Sequence, residues 1–136
     1  MGTSIRPELS LKNEYWISRH RYYELKHFCL QYPIWEKAVN SIDGFSQRPD
    51  LLIVTGNVGD PTSRAAIARE FYHTRMEMIE KCSKNADPVI GFYIFKAVTY
   101  GYSYDALKTK FSVPCCKDIY YNIYRKFFWL LSMERQ

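Results

Sequence analysis

Two Asp-Pro dipeptides, Asp60-Pro61 and Asp87-Pro88, constrain this chain most, because each stands at the head of a segment with apolar residues at helical spacing. A carboxylate just ahead of a helix accepts hydrogen bonds from orphan backbone amides, and a proline in the first turn loses nothing by lacking an N–H. Both dipeptides therefore read as helix starts. After the first, Ile67, Phe71, Thr74, Met78 and Cys82 recur at intervals of four, three, four and four. They draw one face, with Arg64, Arg69, Arg75, Glu70, Glu77 and Glu80 at other positions. That pattern predicts a long amphipathic helix whose charges mostly cancel. After the second come Val89, Ile90, Phe92, Tyr93, Phe95 and Val98, with Gly101 placed as the C-cap.

Helical periodicity extends to both ends. From about Leu11 to Gln31, the residues Trp16, Tyr23 and Leu30 lie seven apart, and Ile17, Leu25 and Phe28 widen the stripe. Pro33 interrupts that helix and suits the first turn of a second one through Trp35, Ala38, Val39 and Ile42, so a helical hairpin is expected. The first nine residues, with Gly2, Thr3, Ser4 and Pro7, read as a tail. Residues 43–59 hold Gly44, Pro49, Gly56 and Gly59 around a β-branched patch, Ile53 to Thr55, and read as a linker loop. Towards the other end, Ser103 can cap a short helix, Tyr104 to Lys110, which Phe111-Ser112-Val113-Pro114 breaks. A long helix follows from about Cys116 to Met133, with Ile119, Ile123, Phe127 and Leu130 or Leu131 expected inward.

A two-turn helix, a short turn and a longer helix form the helix-turn-helix arrangement. Ala106 is small where the two helices must approach, and Leu107 and Val113 are apolar where the turn must be pinned to the core. The expected fold is all-α with about five helices: an N-terminal helical hairpin, a long central helix, a connecting helix and a C-terminal helix-turn-helix. The expected division is tail and hairpin over residues 1–42, linker over 43–59 and helical core over 60–136, with the helix-turn-helix at 101–133.

Composition limits the function classes. Three Trp, twelve Tyr and eight Phe place aromatic rings at 17% of 136 residues, which with 47% hydrophobic residues excludes a chain disordered over most of its length. Trp and Tyr are also favoured at interfaces, and Trp16, Tyr23 and Trp35 are candidates for a partner or dimer contact. The alternative is that these rings fill a core against the helix of residues 60–84. No run approaches the ~18 apolar residues of a membrane span. The four cysteines show no C-x-x-C spacing and no apolar stretch opens the chain, so a reduced, cytoplasmic protein without a membrane partner is expected.

No catalytic constellation or cofactor motif is present, and no enzyme is expected. His20, His27 and Cys29 lack a fourth zinc ligand at recognisable spacing. His73, Glu77 and Glu80 share a helical face without the second copy that a di-metal carboxylate site needs. No metal site is expected.

The net charge of +5 is uneven: residues 101–136 hold six Lys or Arg against three acids, whereas residues 38–100 hold seven of each. In the last two helices Lys108, Lys110, Lys117, Arg125 and Lys126 are candidates for phosphate contacts, the main source of protein–DNA affinity. Tyr121 and Tyr124, three apart and on a face with Lys117, are candidates to present hydroxyls to phosphate or rings to thymine methyls, whereas Tyr120, beside Ile119 and Ile123, reads as core. Asp118 suits the positive end of the helix dipole.

The segment Asp60-Pro61-Thr62-Ser63-Arg64-Ala65-Ala66, the second start at Asp87-Pro88, and a final helix carrying Asp118-Ile119-Tyr120-Tyr121 and Tyr124-Arg125-Lys126-Phe127-Phe128 together resemble the RinA and ArpU group of phage and prophage transcriptional regulators. The resemblance spans roughly residues 18–132. It implies a helix-turn-helix like the promoter-reading fourth region of sigma factors, a double-stranded DNA partner, a homodimer, contact with RNA polymerase and a place in the host bacterial cytoplasm. One departure stands out: the recognition helix of such families opens on Ser, Thr, Arg or Asn, whereas here the positions are Pro114-Cys115-Cys116-Lys117-Asp118, and thiols read bases poorly. Two alternatives stay open on the same scaffold. One is a phage protein that binds and inhibits a host nuclease or RNA polymerase, and the other is a DNA-packaging adaptor resembling a small terminase subunit.

Overall fold

The Ser18 hydroxyl accepts the Arg21 amide, and there the backbone passes from extended to helical. The structure, a computed structural model, describes residues 13–46 and 61–136. Among them are six helices and no strand: α1 Arg19–Leu30, α2 Tyr32–Ser46, α3 Pro61–Ala86, α4 Gly91–Tyr100, α5 Tyr104–Phe111 and α6 Lys117–Glu134. The fold of the described residues is all-α, in the element order that the helical periods and caps predict. None of these helices is long and apolar enough to cross a membrane. The tail over residues 1–9, Asp60 and the expected linker from residue 47 onward lie outside the described residues, while residues 43–46 complete α2.

Of the local start and stop signals, Gly101 acts as expected, whereas α4 begins at Gly91, with Ile90 as its N-cap and no side-chain cap, three residues later than Pro88. Asp87 Oδ2 accepts the amides of Val89 at 2.9 Å and Ile90 at 2.7 Å, forming a turn that leads into α4. Gly101 ends α4 with φ of 77°, a left-handed conformation that costs glycine little, and its amide bonds the Ala97 carbonyl at 2.8 Å.

The faces of α1 and α3 differ from expectation. Helix α1 begins at Arg19 rather than near Leu11, because Asn13 Oδ1 takes the Tyr15 amide at 2.8 Å in a turn that competes with helix. Trp16 therefore precedes the helix, and the seven-residue spacing through Tyr23 and Leu30 does not mark the core. Tyr22, Leu25, Phe28 and Cys29 are buried instead, and Trp16 is 38% exposed. Along α3, the buried residues are Met76, Ile79, Cys82, Ser83 and Ala86, whereas Ile67 and Phe71 are exposed. Only Cys82 belongs to the face read from spacing alone.

The described chain forms two compact units. One is Tyr32–Glu77, in which Tyr32, Trp35 and Val39 of α2 are buried and Asp43 pairs with Arg69 at 2.7 Å. In α3 of this unit the Arg75 guanidinium lies 3.5 Å from the centre of the Phe71 ring. Trp35, a candidate interface residue, is only 5% exposed and so is a core residue. Its place at i+3 from Tyr32 and i−4 from Val39 puts it on the buried stripe of α2.

The other unit joins the described residues up to Gln31 with Met78–Gln136. This grouping differs from a division into 1–42, 43–59 and 60–136, because α1 packs on α4 and α6. The Tyr22 ring lies 5.1 Å from that of Phe128, and the Tyr22 and Tyr124 hydroxyls share a hydrogen bond of 2.9 Å. Arg21 donates to Ser132 Oγ at 3.1 Å, to the Ser132 carbonyl at 3.0 Å and to the Arg135 carbonyl. Arg135 in turn covers the Phe28 ring at 3.9 Å. The rings of Tyr22 and Phe28 thus meet the last helix and the residue that follows it. Leu25, Ile79, Ile94, Leu107, Phe127 and Leu131, from five different helices, have no exposed surface and make the centre of this unit.

Candidate nucleic-acid interface

Helix α5 is short and fully capped. Ser103 Oγ accepts the Ala106 amide at 3.1 Å, Asp105 sits in the first turn, and Lys108 and Lys110 sit in the last, each charge matching the helix dipole. Ser112 closes it in the left-handed region, φ of 55°, with its amide on the Lys108 carbonyl. Leu107 and Val113 are buried and pin the turn, as the apolar pattern predicts. Tyr104 adds a clamp: its hydroxyl donates to the Cys115 carbonyl at 2.7 Å and its ring lies 5.1 Å from that of Tyr120.

Cys116 is the N-cap of α6 and supplies no side-chain hydrogen bond, so the negative group at this helix start is the Asp118 carboxylate. Inward on α6 are Tyr120, Tyr121, Ile123, Phe127, Phe128 and Leu131. Outward are Lys117, Asp118, Ile119 and Asn122, with Arg125 and Lys126 half-buried beyond them. Burial lowers the Arg125 pKa, and the Asp118 carboxylate opposes that shift. Lys108 and Lys110 are exposed on α5, and the Lys110 ammonium donates to the Tyr102 hydroxyl at 3.3 Å. The structure therefore places Lys108, Lys110 and Lys117 at solvent and Arg125 and Lys126 at the edge of the same outward side of α6.

Three assignments change. Tyr121 is 8% exposed, and Tyr124 is half-buried with its hydroxyl bound to Tyr22, so neither is free to reach a nucleic acid. Ile119, expected inward, is 53% exposed. The cause is common to all three: α1, α4 and the Tyr104 ring cover the flank of α6 that carries residues 120, 121 and 124, which turns residue 119 outward. Sequence reasoning also missed Asn122, three residues beyond Ile119 on the exposed side. Counting by three and four from Lys117 does not single it out, because the flanking tyrosines look equally suited to solvent.

Of the interface candidates, Tyr23 is half-buried with its ring 5.2 Å from that of Tyr22. His20 and His27 are exposed whereas Cys29 is buried, so the three share no surface. Among the described residues no group of three His, Cys, Asp or Glu is placed to hold a metal ion.

No family model, curated protein or solved structure matches this chain. The resemblance to the RinA and ArpU group rests on the motifs quoted above, and the Tyr-rich stretch among them is largely core-forming.

The thiols divide by environment. Burial holds the Cys82 thiol up at about 11 and the Cys29 thiol well above its ordinary value, whereas Cys116 is exposed and Cys115 half-buried at the turn. A thiolate-specific reagent such as Ellman's is expected to label Cys116 first and Cys115 next in the native protein, and Cys29 and Cys82 only after denaturation. Mass mapping of the labelled peptides checks the order.

Proposed function

We propose that this chain binds duplex DNA as a phage or prophage transcription regulator, with α6 as the reading helix and α5 as its support. The observation that carries the reading is the exposure of Lys117, Ile119 and Asn122 in the first turns of α6 together with that of Lys108 and Lys110 on α5. The chemistry divides among them. Lysines neutralise phosphates and release counterions, which gives affinity without sequence information. An asparagine amide pairs with the N6 and N7 edge of adenine, an apolar side chain meets the thymine methyl, and a carboxylate such as Asp118 accepts from cytosine N4. Base reading on this proposal falls at residues 118–122, one turn beyond the two thiols that suit it poorly. The reading includes a homodimer and contact with RNA polymerase; a dimer would set two α6 helices on half-sites about 34–36 Å apart.

The test separates the two kinds of contact. Fluorescence anisotropy with a labelled duplex at ~50 mM salt is expected to show binding that weakens about tenfold for each of Lys108→Gln, Lys110→Gln and Lys117→Gln, with the log–log salt slope falling by about 0.9 each time. Asn122→Ala is expected to leave that slope unchanged and to alter the sequences recovered by selection from a random pool. Absence of duplex binding at ~50 mM salt sinks the proposal.

A further inference from the structure

On the covered flank of α6 lies a cleft of about 210 Å³, lined from α1, the end of α4, the start of α5 and α6. Its walls are mainly tyrosine: Tyr22 from α1, Tyr104 from α5, and Tyr120, Tyr121 and Tyr124 from α6. The rings form a chain, with centres 5.1 Å apart from Tyr104 to Tyr120, 5.0 Å from Tyr120 to Tyr121 and 5.7 Å from Tyr121 to Tyr124. Most of the hydroxyls are committed. Tyr22 and Tyr124 bond each other, Tyr104 donates to the Cys115 carbonyl, and Tyr102 at the rim receives Lys110. The hydroxyls of Tyr120 and Tyr121 have no hydrogen-bond partner among the described residues, although Tyr120 is 1% exposed and Tyr121 8%. Neither oxygen is fully shut off from solvent, so each stays open to a hydrogen bond from a group in the cleft.

Charge selects the ligand. Lys26 is the one charged side chain among the lining residues, and its ammonium stands 6.0 Å from the centre of the Tyr22 ring. Tyrosine walls alone would suit a cation. An ammonium already at the ring repels one. Burial raises the pKa of Tyr120 and Tyr124, so both hydroxyls stay protonated and can act only as neutral hydrogen-bonding groups near pH 7. The cleft thus offers ring faces to an apolar plane, and an ammonium with hydroxyl donors to an anion. It is smaller than the roughly 300–1,000 Å³ of sites for drug-sized ligands.

We propose that this cleft is a binding site for a small aromatic carboxylate, its ring among the tyrosine rings and its carboxylate held by Lys26 and the unpartnered tyrosine hydroxyls. The site stands whether or not α6 reads DNA, since none of the exposed α6 residues lines it.

Ligand-observed fluorine NMR on the full chain tests it, with 4-fluorobenzoate as the probe and 4-fluorobenzyl alcohol and 4-fluorobenzylamine as charge controls. The expected result is saturable binding of the carboxylate, with the alcohol and the amine weaker by about tenfold or more. Lys26→Met is expected to weaken the carboxylate about tenfold and to leave the alcohol unchanged, which also reports an intact cleft; Lys84→Met, at an exposed site on α3, changes neither. The proposal is overturned by no saturable binding of 4-fluorobenzoate up to ~10 mM, by an alcohol or amine that binds as well as the carboxylate, or by a Lys26→Met variant with undiminished carboxylate affinity.

Discussion

Gly91→Ala is expected to destabilise the unit that contains α1, α4, α5 and α6 by about 3 kcal/mol. A Cβ at residue 91 would lie 2.1 Å from the Ser83 carbonyl oxygen and 2.9 Å from its carbon, both backbone atoms of α3. No side chain can rotate to make room, so the end of α3 and the start of α4 must separate. Ser83 is itself 4% exposed, with its hydroxyl donating to the Glu80 carbonyl at 2.8 Å, and has little freedom to retreat. Helix propensity alone predicts the opposite sign, since alanine exceeds glycine by about 1 kcal/mol inside a helix. The sign of the shift in a urea unfolding midpoint therefore decides between local preference and the close approach of two backbones. A variant more stable than the parent would show that α3 and α4 do not meet at Ser83.

The second large effect is expected at Phe128, where truncation to alanine costs about 3–5 kcal/mol. Phe128 has no exposed surface, and the rings of Tyr22, Tyr124 and Phe127 surround it with centres 5.0–5.1 Å away. Alanine leaves a cavity that three stiff rings cannot collapse to fill, and it removes the edge-to-face contact with Tyr22. The Tyr22 and Tyr124 hydroxyl pair rests on those same two rings. Phe128→Leu keeps most of the volume and is expected to cost less than about 1.5 kcal/mol. Chemical unfolding of both variants checks the order; equal losses would point to ring chemistry rather than volume as the source of stability.

What could be read from the residues was whatever a few neighbours decide. Asp87, Gly101 and Ser103 act within three or four residues of themselves, and each caps or turns the chain as its chemistry predicts. Leu107 and Val113 were legible because the short α5 has one apolar stripe and its turn needs an anchor. Faces of the richer helices were not legible. Helix α6 carries Ile, Tyr, Phe, Trp or Leu around its whole circumference, so spacing does not choose between Ile119 outward and Tyr121 inward. That choice is made by α1, about a hundred residues earlier in the chain. The lysines of the candidate interface stood out because exposed charge needs no partner. Asn122 did not, and the tyrosine cleft could not, because it exists only where four separate segments meet.

The bonds from Arg21 to Ser132 span 111 positions of sequence, and the Tyr22–Tyr124 pair spans 102. At about 5–20 residues per second of synthesis, α1 leaves the ribosome roughly 5–20 s before the helix that completes it. During that interval Tyr22, Leu25 and Phe28 have no finished core to enter. The tyrosine unit therefore closes only once α6 has been made, through contacts far apart along the chain, and its closure is slow compared with the growth of any one helix. A fragment of residues 101–133 would hold the helix-turn-helix without the aromatic partner that gives α6 its orientation.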